Sequence, residues 1–357
     1  MSAKKRVAVA MSGGVDSSVA ALVLKEQGFE VFGLMLRLWS EPGREDSNRC
    51  CQPEAVGLAR RAAGILDIPF HVLDAKAVFR NIVVQEFMDG YARGGTPNPC
   101  IECNRRIRWE FLFEHAKAMG AEFMATGHYA RVRIQGSGPV QLLRGVDRSK
   151  DQSYVLYTLD QEKLRHALFP VGEYTKREVR EIARTRGLPS AARQDSQDLC
   201  FLGGGDYRSF LRSHLPAVFA AGQIVNPMGE VLGTHGGLAD YTIGQRKGLG
   251  ITSSEPLYVL RKEPAANRLV VGPAGELGQS ELRATRVHWS SGSPPARGFR
   301  AQVKTRYTAA PAAGMVLLAE DQDEVRACFD EPQRDITPGQ AAVFYDEEHL
   351  IGGGIIQ

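Results

Sequence analysis

The chain has 357 residues, 43% of them hydrophobic and 24% charged, with a formal net charge of +3. That composition fits a globular protein of about two or three domains with an ample core, and the small charge excludes a uniformly basic surface, so any nucleic-acid contact must be local. No run approaches the roughly 18 apolar residues of a membrane span. Met1-Ser-Ala-Lys-Lys-Arg6 looks like the start of a secretion signal, but Asp16 breaks the apolar run and no cleavage site follows, which points to a cytoplasmic protein with no membrane partner.

The first half alternates strand and helix signals. Short apolar runs at residues 7–11, 31–36, 70–73 and 123–126 read as buried parallel strands. Helical patterns lie between them at 17–27, 53–66, 78–91 and 104–119. This predicts a doubly wound α/β sheet with ligands at the carboxyl ends of its strands. Segments 129–134 and 140–144 read as a hairpin around Gln135-Gly-Ser-Gly-Pro139, and helical signals return at 176–186 and 206–215. Beyond about residue 220 the strands are short and punctuated by Gly and Pro, with no helix longer than a turn or two. The expected order is an α/β domain over 1–205, a small mixed central domain over 206–277 and a β-barrel-like domain over 278–357.

Ser12-Gly13-Gly14-Val15-Asp16-Ser17 joins the first strand to the first helix. A glycine turn running into a helix N-terminus presents successive backbone N–H groups and partial positive charge, a cradle for phosphate. Gly13 and Gly14 let the backbone approach closely, and Ser12 and Ser17 can donate hydroxyls. Asp16 repels phosphate, so it is expected to act through Mg²⁺. The Gly-Lys-Ser/Thr ending of a Walker A loop is missing. The pattern resembles the PP-loop of ATP pyrophosphatases, a likeness that implies cleavage of ATP between its α and β phosphates.

The six cysteines, at 50, 51, 100, 103, 200 and 328, are too sparse for a disulfide scaffold. Two prolines stiffen Thr96-Pro-Asn-Pro-Cys-Ile-Glu-Cys-Asn104. With Asn104 as cap of the following helix, Cys103 falls at a helix N-terminus beside Arg105, Arg106 and Arg108, a placement for a nucleophile or a ligand. Cys200 follows Asp195-Ser-Gln-Asp-Leu199. Cys50 and Cys51 read as helix-start packing, and Cys328 as a buried strand residue.

The ordered set is specific: Met11-Ser-Gly-Gly-Val-Asp-Ser-Ser18, Thr96-Pro-Asn-Pro99 with Cys103-Asn104, Ala125-Thr-Gly-His-Tyr129, Lys150-Asp-Gln-Ser-Tyr154, Asp195-Ser with Cys200-Phe201, Tyr241-Thr-Ile-Gly-Gln-Arg-Lys-Gly-Leu-Gly250 and Arg306-Tyr307. Across essentially the whole chain it resembles the bacterial tRNA-specific 2-thiouridylase family. The resemblance implies that ATP adenylates the C2 oxygen of a wobble uridine in tRNAs for Lys, Glu and Gln, and that sulfur replaces that oxygen. It assigns Cys103 as nucleophile and Cys200 as persulfide carrier, charged by a sulfur-relay protein or cysteine desulfurase. Nucleotide contacts carry over to Ala10, Met11, Ser12, Gly13, Gly14, Val15, Asp16, Ser17, Leu36 and Gly127, whose missing Cβ is expected to admit the nucleotide. Contacts to the tRNA and its target base carry over to Asn98, Pro99, Cys100, His128, Lys150, Asp151, Gln152, Arg306, Tyr307 and Gln340, with Tyr307 able to stack on a base.

Cys100 stands where many relatives have aspartate, so that carboxylate cannot serve as acid or base here. Two readings stay open. Cys100, Cys103 and Cys200 could hold an iron–sulfur cluster with one open iron, or Cys100 could resolve a persulfide or disulfide on Cys103. Other classes to separate are a different PP-loop ligase, which needs no Cys103–Cys200 pair, and a non-catalytic RNA-binding or redox module, which converts no ATP to AMP.

Overall fold

The computed structural model describes residues 4–43, 53–134, 136, 138–193, 199–320, 323–334 and 336–357. Cys50 and Cys51, and Asp195-Ser196 of the Cys200 motif, lie outside the described residues.

Strands β1 (Arg6–Ala10), β2 (Glu30–Arg37), β3 (Phe70–Asp74), β4 (Phe123–Thr126) and the two-residue β7 (Ala167–Leu168) form a parallel sheet in the order β3-β2-β1-β4-β7. The central strand is covered on both faces: Val7 and Val9 pack with α1 (Val15–Glu26) and α2 (Pro53–Ile65), while Ala8 packs with Trp109, Leu112 and Phe113 on the other side. That alternation is the two-residue period of a strand buried on both sides, and it explains the unbroken apolar run. The chain leaves β1 toward β2 on one flank and returns to β4 on the other. The switch point therefore falls between β1 and β4, and the crevice beyond their carboxyl ends is the natural ligand site.

Two long helical segments complete this unit, α3 over 76–92 and α4 over 99–118. Residues Cys103–Leu112 of α4 follow i→i+5 hydrogen bonding, a geometry that gathers at functional sites. The start of α4 corrects the sequence expectation. Asn98, not Asn104, is the N-cap and accepts the Cys100 amide at 3.1 Å, with Pro99 in the first turn. Proline fits there because its fixed φ is helical and its missing N–H would have no partner. Cys103 therefore lies one turn inside the helix, and Cys100 in the first turn.

The remaining helices are α5 (Gln161–His166), α6 (Lys176–Thr185) and α7 (Tyr207–His214). The central unit is a four-stranded sheet of β8 (Gly222–Val225), β9 (Val231–His235), β10 (Leu257–Glu263) and β11 (Arg268–Pro273). The C-terminal unit is a closed six-stranded barrel. Its strands β12 (Gln279–Trp289), β13 (Gly298–Lys304), β14 (Ala312–Leu318), β15 (Glu324–Gln333), β16 (Ala341–Asp346) and β17 (His349–Ile356) run β12-β15-β14-β13-β16-β17, and β17 pairs back to β12. Strands of 11 and 10 residues, β12 and β15, are longer than the sequence suggested. Among the described residues no helix is long and apolar enough to cross a membrane.

The hairpin of β5 (Ala130–Arg133) and β6 (Gln141–Arg144) was expected to belong to the α/β domain. It instead extends the barrel sheet, with Leu142 opposite Leu350 and Leu143 opposite His349. Val343, Tyr345 and Leu350 share one apolar core with Trp109 and Tyr154, and the Tyr154 hydroxyl donates to the Ala341 carbonyl at 2.9 Å. The barrel is thereby anchored beside the switch point.

Candidate active site

After Ala10 the chain turns into α1. Gly13 takes φ +72°, and a Cβ there would lie 2.4 Å from the Ala55 carbonyl oxygen, so glycine is required. Ser17 Oγ accepts the Ser12 amide at 3.2 Å and donates to the Gly14 carbonyl at 3.2 Å. Arg193 donates to the Gly13 carbonyl at 2.9 Å. These bonds brace the loop. Gly14 at the N-cap brings no side-chain acceptor, which leaves the first-turn N–H groups and the helix dipole for an anion.

Asp16 departs from expectation. Lys176 Nζ sits 2.8 and 2.9 Å from its two carboxylate oxygens, and the Tyr129 hydroxyl donates to it at 2.7 Å. With its charge matched by an ammonium, this carboxylate does not fit a direct magnesium ligand, and it fixes the end of α1 instead. Gly127 packs against the same helix end. A Cβ there would meet Ser17 N at 2.6 Å and the Asp16 carbonyl carbon at 2.8 Å, so the missing side chain makes room for the N-terminus of α1.

Beside the loop lies a cleft of about 430 Å³. Ala10, Met11, Ser12 and Leu36 form its sheet side; Asn98, Pro99, Cys100, Cys103, Asn104 and Arg108 come from α4 and its approach; Cys200, His128, Gln152 and Tyr307 complete it. The fold thus brings two distant cysteines, the phosphate loop and the proposed target-base residues to one place. Of the three arginines after Cys103, Arg105 and Arg106 ion-pair with Glu110 at 3.9 and 3.2 Å, and Arg108 is the one that lines the cleft.

Cys103 and Cys200 are half-buried cysteines packed against one apolar cluster that includes Phe79, Ile107 and Phe201, while Cys100 is exposed. Among the described residues no group of three His, Cys, Asp or Glu side chains is placed to hold a metal ion. Cys328 is a half-buried residue of β15.

The residues assigned to RNA divide into two groups. His128, Gln152 and Tyr307 face the cleft, and Tyr307 also borders a neighbouring groove of about 760 Å³ with Arg144, Arg148 and Lys304. His128 is 6% exposed, its Nδ1 lies 2.7 Å from Thr126 Oγ1, and burial, helped by the Arg108 charge, pushes its pKa down to about 3. Burial, the Asp151 charge and Cys100 raise the Tyr307 phenol above its ordinary value. Asp151, Arg306 and Gln340 have internal partners. Asp151 is 5% exposed and accepts the Gly145 and Ser153 amides. Arg306 donates to the Ile243 carbonyl at 3.1 Å and to Thr337 Oγ1, clamping barrel to central unit. Gln340 donates to the Thr96 carbonyl at 2.6 Å, holding the loop that precedes α4. Lys150 lies partly exposed in the same loop as Asp151. Lys176 and Arg193, which brace the phosphate loop from more than 150 residues away, carried no local sequence signal.

A parallel sheet with a glycine-braced anion loop at its switch point, opening on a cleft with three cysteines, defines an ATP-using α/β enzyme of the PP-loop type. Family models described as tRNA methyl transferase HUP domain, tRNA methyl transferase PRC-barrel domain and Aminomethyltransferase beta-barrel domain match residues 5–204, 208–273 and 279–356. Full-length relatives named tRNA-specific 2-thiouridylase MnmA include that of Chloroflexus aggregans, 47% identical over 352 residues covering 98% of both chains. That of Magnetococcus marinus is 45% identical over 358 residues covering 100% of both. The chain belongs to the tRNA-specific 2-thiouridylase family.

Proposed function

We propose that this chain replaces the C2 oxygen of a tRNA uridine by sulfur at the expense of ATP, the wobble uridine of tRNAs for Lys, Glu and Gln being the target. The observation that carries this reading is one cleft lined by Ser12 of the phosphate loop and by Cys103 and Cys200. ATP phosphates lie at the N-terminus of α1, and Leu36 offers an apolar wall to adenine. The uridine C2 oxygen attacks the α-phosphorus and pyrophosphate leaves. This step is needed because a urea-like carbonyl is a poor electrophile until its oxygen is bonded to phosphorus. Cys200 carries the incoming sulfur as a persulfide, delivered by a relay protein or a cysteine desulfurase. The Cys103 thiolate attacks Cys200 Sγ, forming a disulfide and releasing hydrosulfide, which adds to C2 as AMP departs. A thiol reductant supplies the two electrons that reopen the disulfide.

Unmodified tRNA incubated with the protein, magnesium ATP and sulfide should yield 2-thiouridine by nucleoside mass analysis, with one AMP per modification. Absence of 2-thiouridine both aerobically and anaerobically overturns the reading. ATP-to-AMP conversion that persists undiminished in Cys200→Ser, with a different product, would instead identify another PP-loop ligase.

A further inference from the structure

Asn104 is 5% exposed and lies inside α4, one residue after Cys103. Its Nδ2 donates to the Cys100 carbonyl at 3.0 Å. That bond fixes the amide, since the flipped orientation would set two oxygens against each other. Its Oδ1 is buried and has no hydrogen-bond partner among the described residues. An unsatisfied buried acceptor is costly and calls for an explanation. Asn104 lines the cleft together with Cys100, Cys103 and Cys200, so a ligand donor is the natural partner.

We propose that Asn104 selects uracil at the target position, its Oδ1 accepting the N3–H of the base. The inference rests on the reading of the cleft as a uridine thiolation site. Uracil has a single Watson–Crick-edge donor, N3–H, on the atom bonded to C2. A group that reads N3 must stand near the groups that bring sulfur to C2, and Asn104 lines the same cleft as Cys103 and Cys200. Cytosine presents a bare acceptor at N3, so it would leave Oδ1 unpaired and facing another lone pair. Selection of this kind is strong because the wrong base strands a buried polar atom.

The test uses three tRNA transcripts, with uridine, N3-methyluridine or cytidine at the target position, and the proteins with Asn104→Ala and Asn104→Leu, the latter keeping volume. Wild type should thiolate the uridine transcript and discriminate against the N3-methyl one. In either variant kcat/KM for uridine should fall about 30-fold, and the preference for uridine over N3-methyluridine should collapse by at least about tenfold, with KM for ATP unchanged. A merely structural role would lower activity on both transcripts alike and leave that ratio standing. An intact ratio in the variants, or a raised KM for ATP with unchanged base preference, overturns the assignment. Failure of wild type on the uridine transcript is a separate result, which overturns the thiolation reading itself and this inference with it.

Discussion

Lys176, at the first position of α6, holds both carboxylate oxygens of Asp16, at 2.8 and 2.9 Å, in the first turn of the helix that follows the phosphate loop. Both side chains are largely shielded, at 12% and 29% exposure. The pair cancels a negative charge that would otherwise face bound phosphate. Lys176→Met leaves that carboxylate unmatched. Stability should fall by about 1–3 kcal/mol and KM for ATP should rise about tenfold or more. Asp16→Asn in the same background should recover part of both losses, which a double-mutant cycle on urea midpoints and ATP kinetics would measure. Strict additivity of the two changes would count against the pairing.

Gly127 gives a prediction about backbone approach. Because the space beside it holds Ser17 N and the Asp16 carbonyl carbon, Gly127→Ala must push the N-terminus of α1 away from β4. A stability loss of about 1–3 kcal/mol is expected. The loop displaced is the one that cradles phosphate, so KM for ATP should rise while persulfide loading on Cys200 stays unchanged. A variant with normal ATP affinity would show that the helix end tolerates the shift.

The parallel strands and the phosphate loop were legible in the sequence because each is a local pattern. Apolar runs of strand length mark a sheet buried on both faces, and Gly-Gly before a helix marks a turn that only glycine can make. Contacts joining distant segments leave no such trace. Nothing near Lys176 announces Asp16, 160 residues away, and the period-two pattern of β5 and β6 does not say that their partner is β17. The reading of α4 failed by position. Asn98 and Asn104 are both good caps by composition, and the choice was made by Pro99, whose φ and missing N–H suit a first helical turn. Among the residues assigned to RNA, the sequence did not show the internal partners: Arg306 and Gln340 spend hydrogen bonds on Ile243, Thr337 and Thr96.

His128 makes stability depend on pH. Its folded pKa of about 3 lies below the ordinary 6.5, for burial disfavours the imidazolium. The unfolded chain therefore binds the proton that the folded chain refuses. Stability from this group is complete above about pH 6.5 and is lost progressively as pH falls toward the folded value, by about 1.4 kcal/mol per unit well below 6.5. Urea midpoints measured from pH 7.5 to 4.5 should fall less steeply in His128→Gln than in wild type. Equal slopes would place the imidazole in contact with water. The neutral ring also predicts that no activity transition near pH 6.5 will disappear in His128→Gln.

The cysteines separate the sulfur carriers. All three cysteines line the cleft, but only Cys103 and Cys200 pack against its apolar cluster, whereas Cys100 is exposed in the first turn of α4. In a persulfide route Cys103 and Cys200 each take part in bond making. Cys103→Ser and Cys200→Ser should each lower thiolation about 10³-fold, and Cys200→Ser should abolish acceptance of labelled sulfur from a persulfide donor. If the Cys103–Cys200 exchange runs without it, Cys100→Asp should keep activity within about tenfold of wild type, whereas a loss like that of Cys103→Ser, with no iron bound, would make Cys100 the resolving thiol. In a cluster route all three substitutions would be equally damaging, and protein purified anaerobically would hold stoichiometric iron and labile sulfide that each substitution removes. Full activity without iron, together with a Cys103–Cys200 disulfide trapped after one turnover in the absence of reductant, is the expected result.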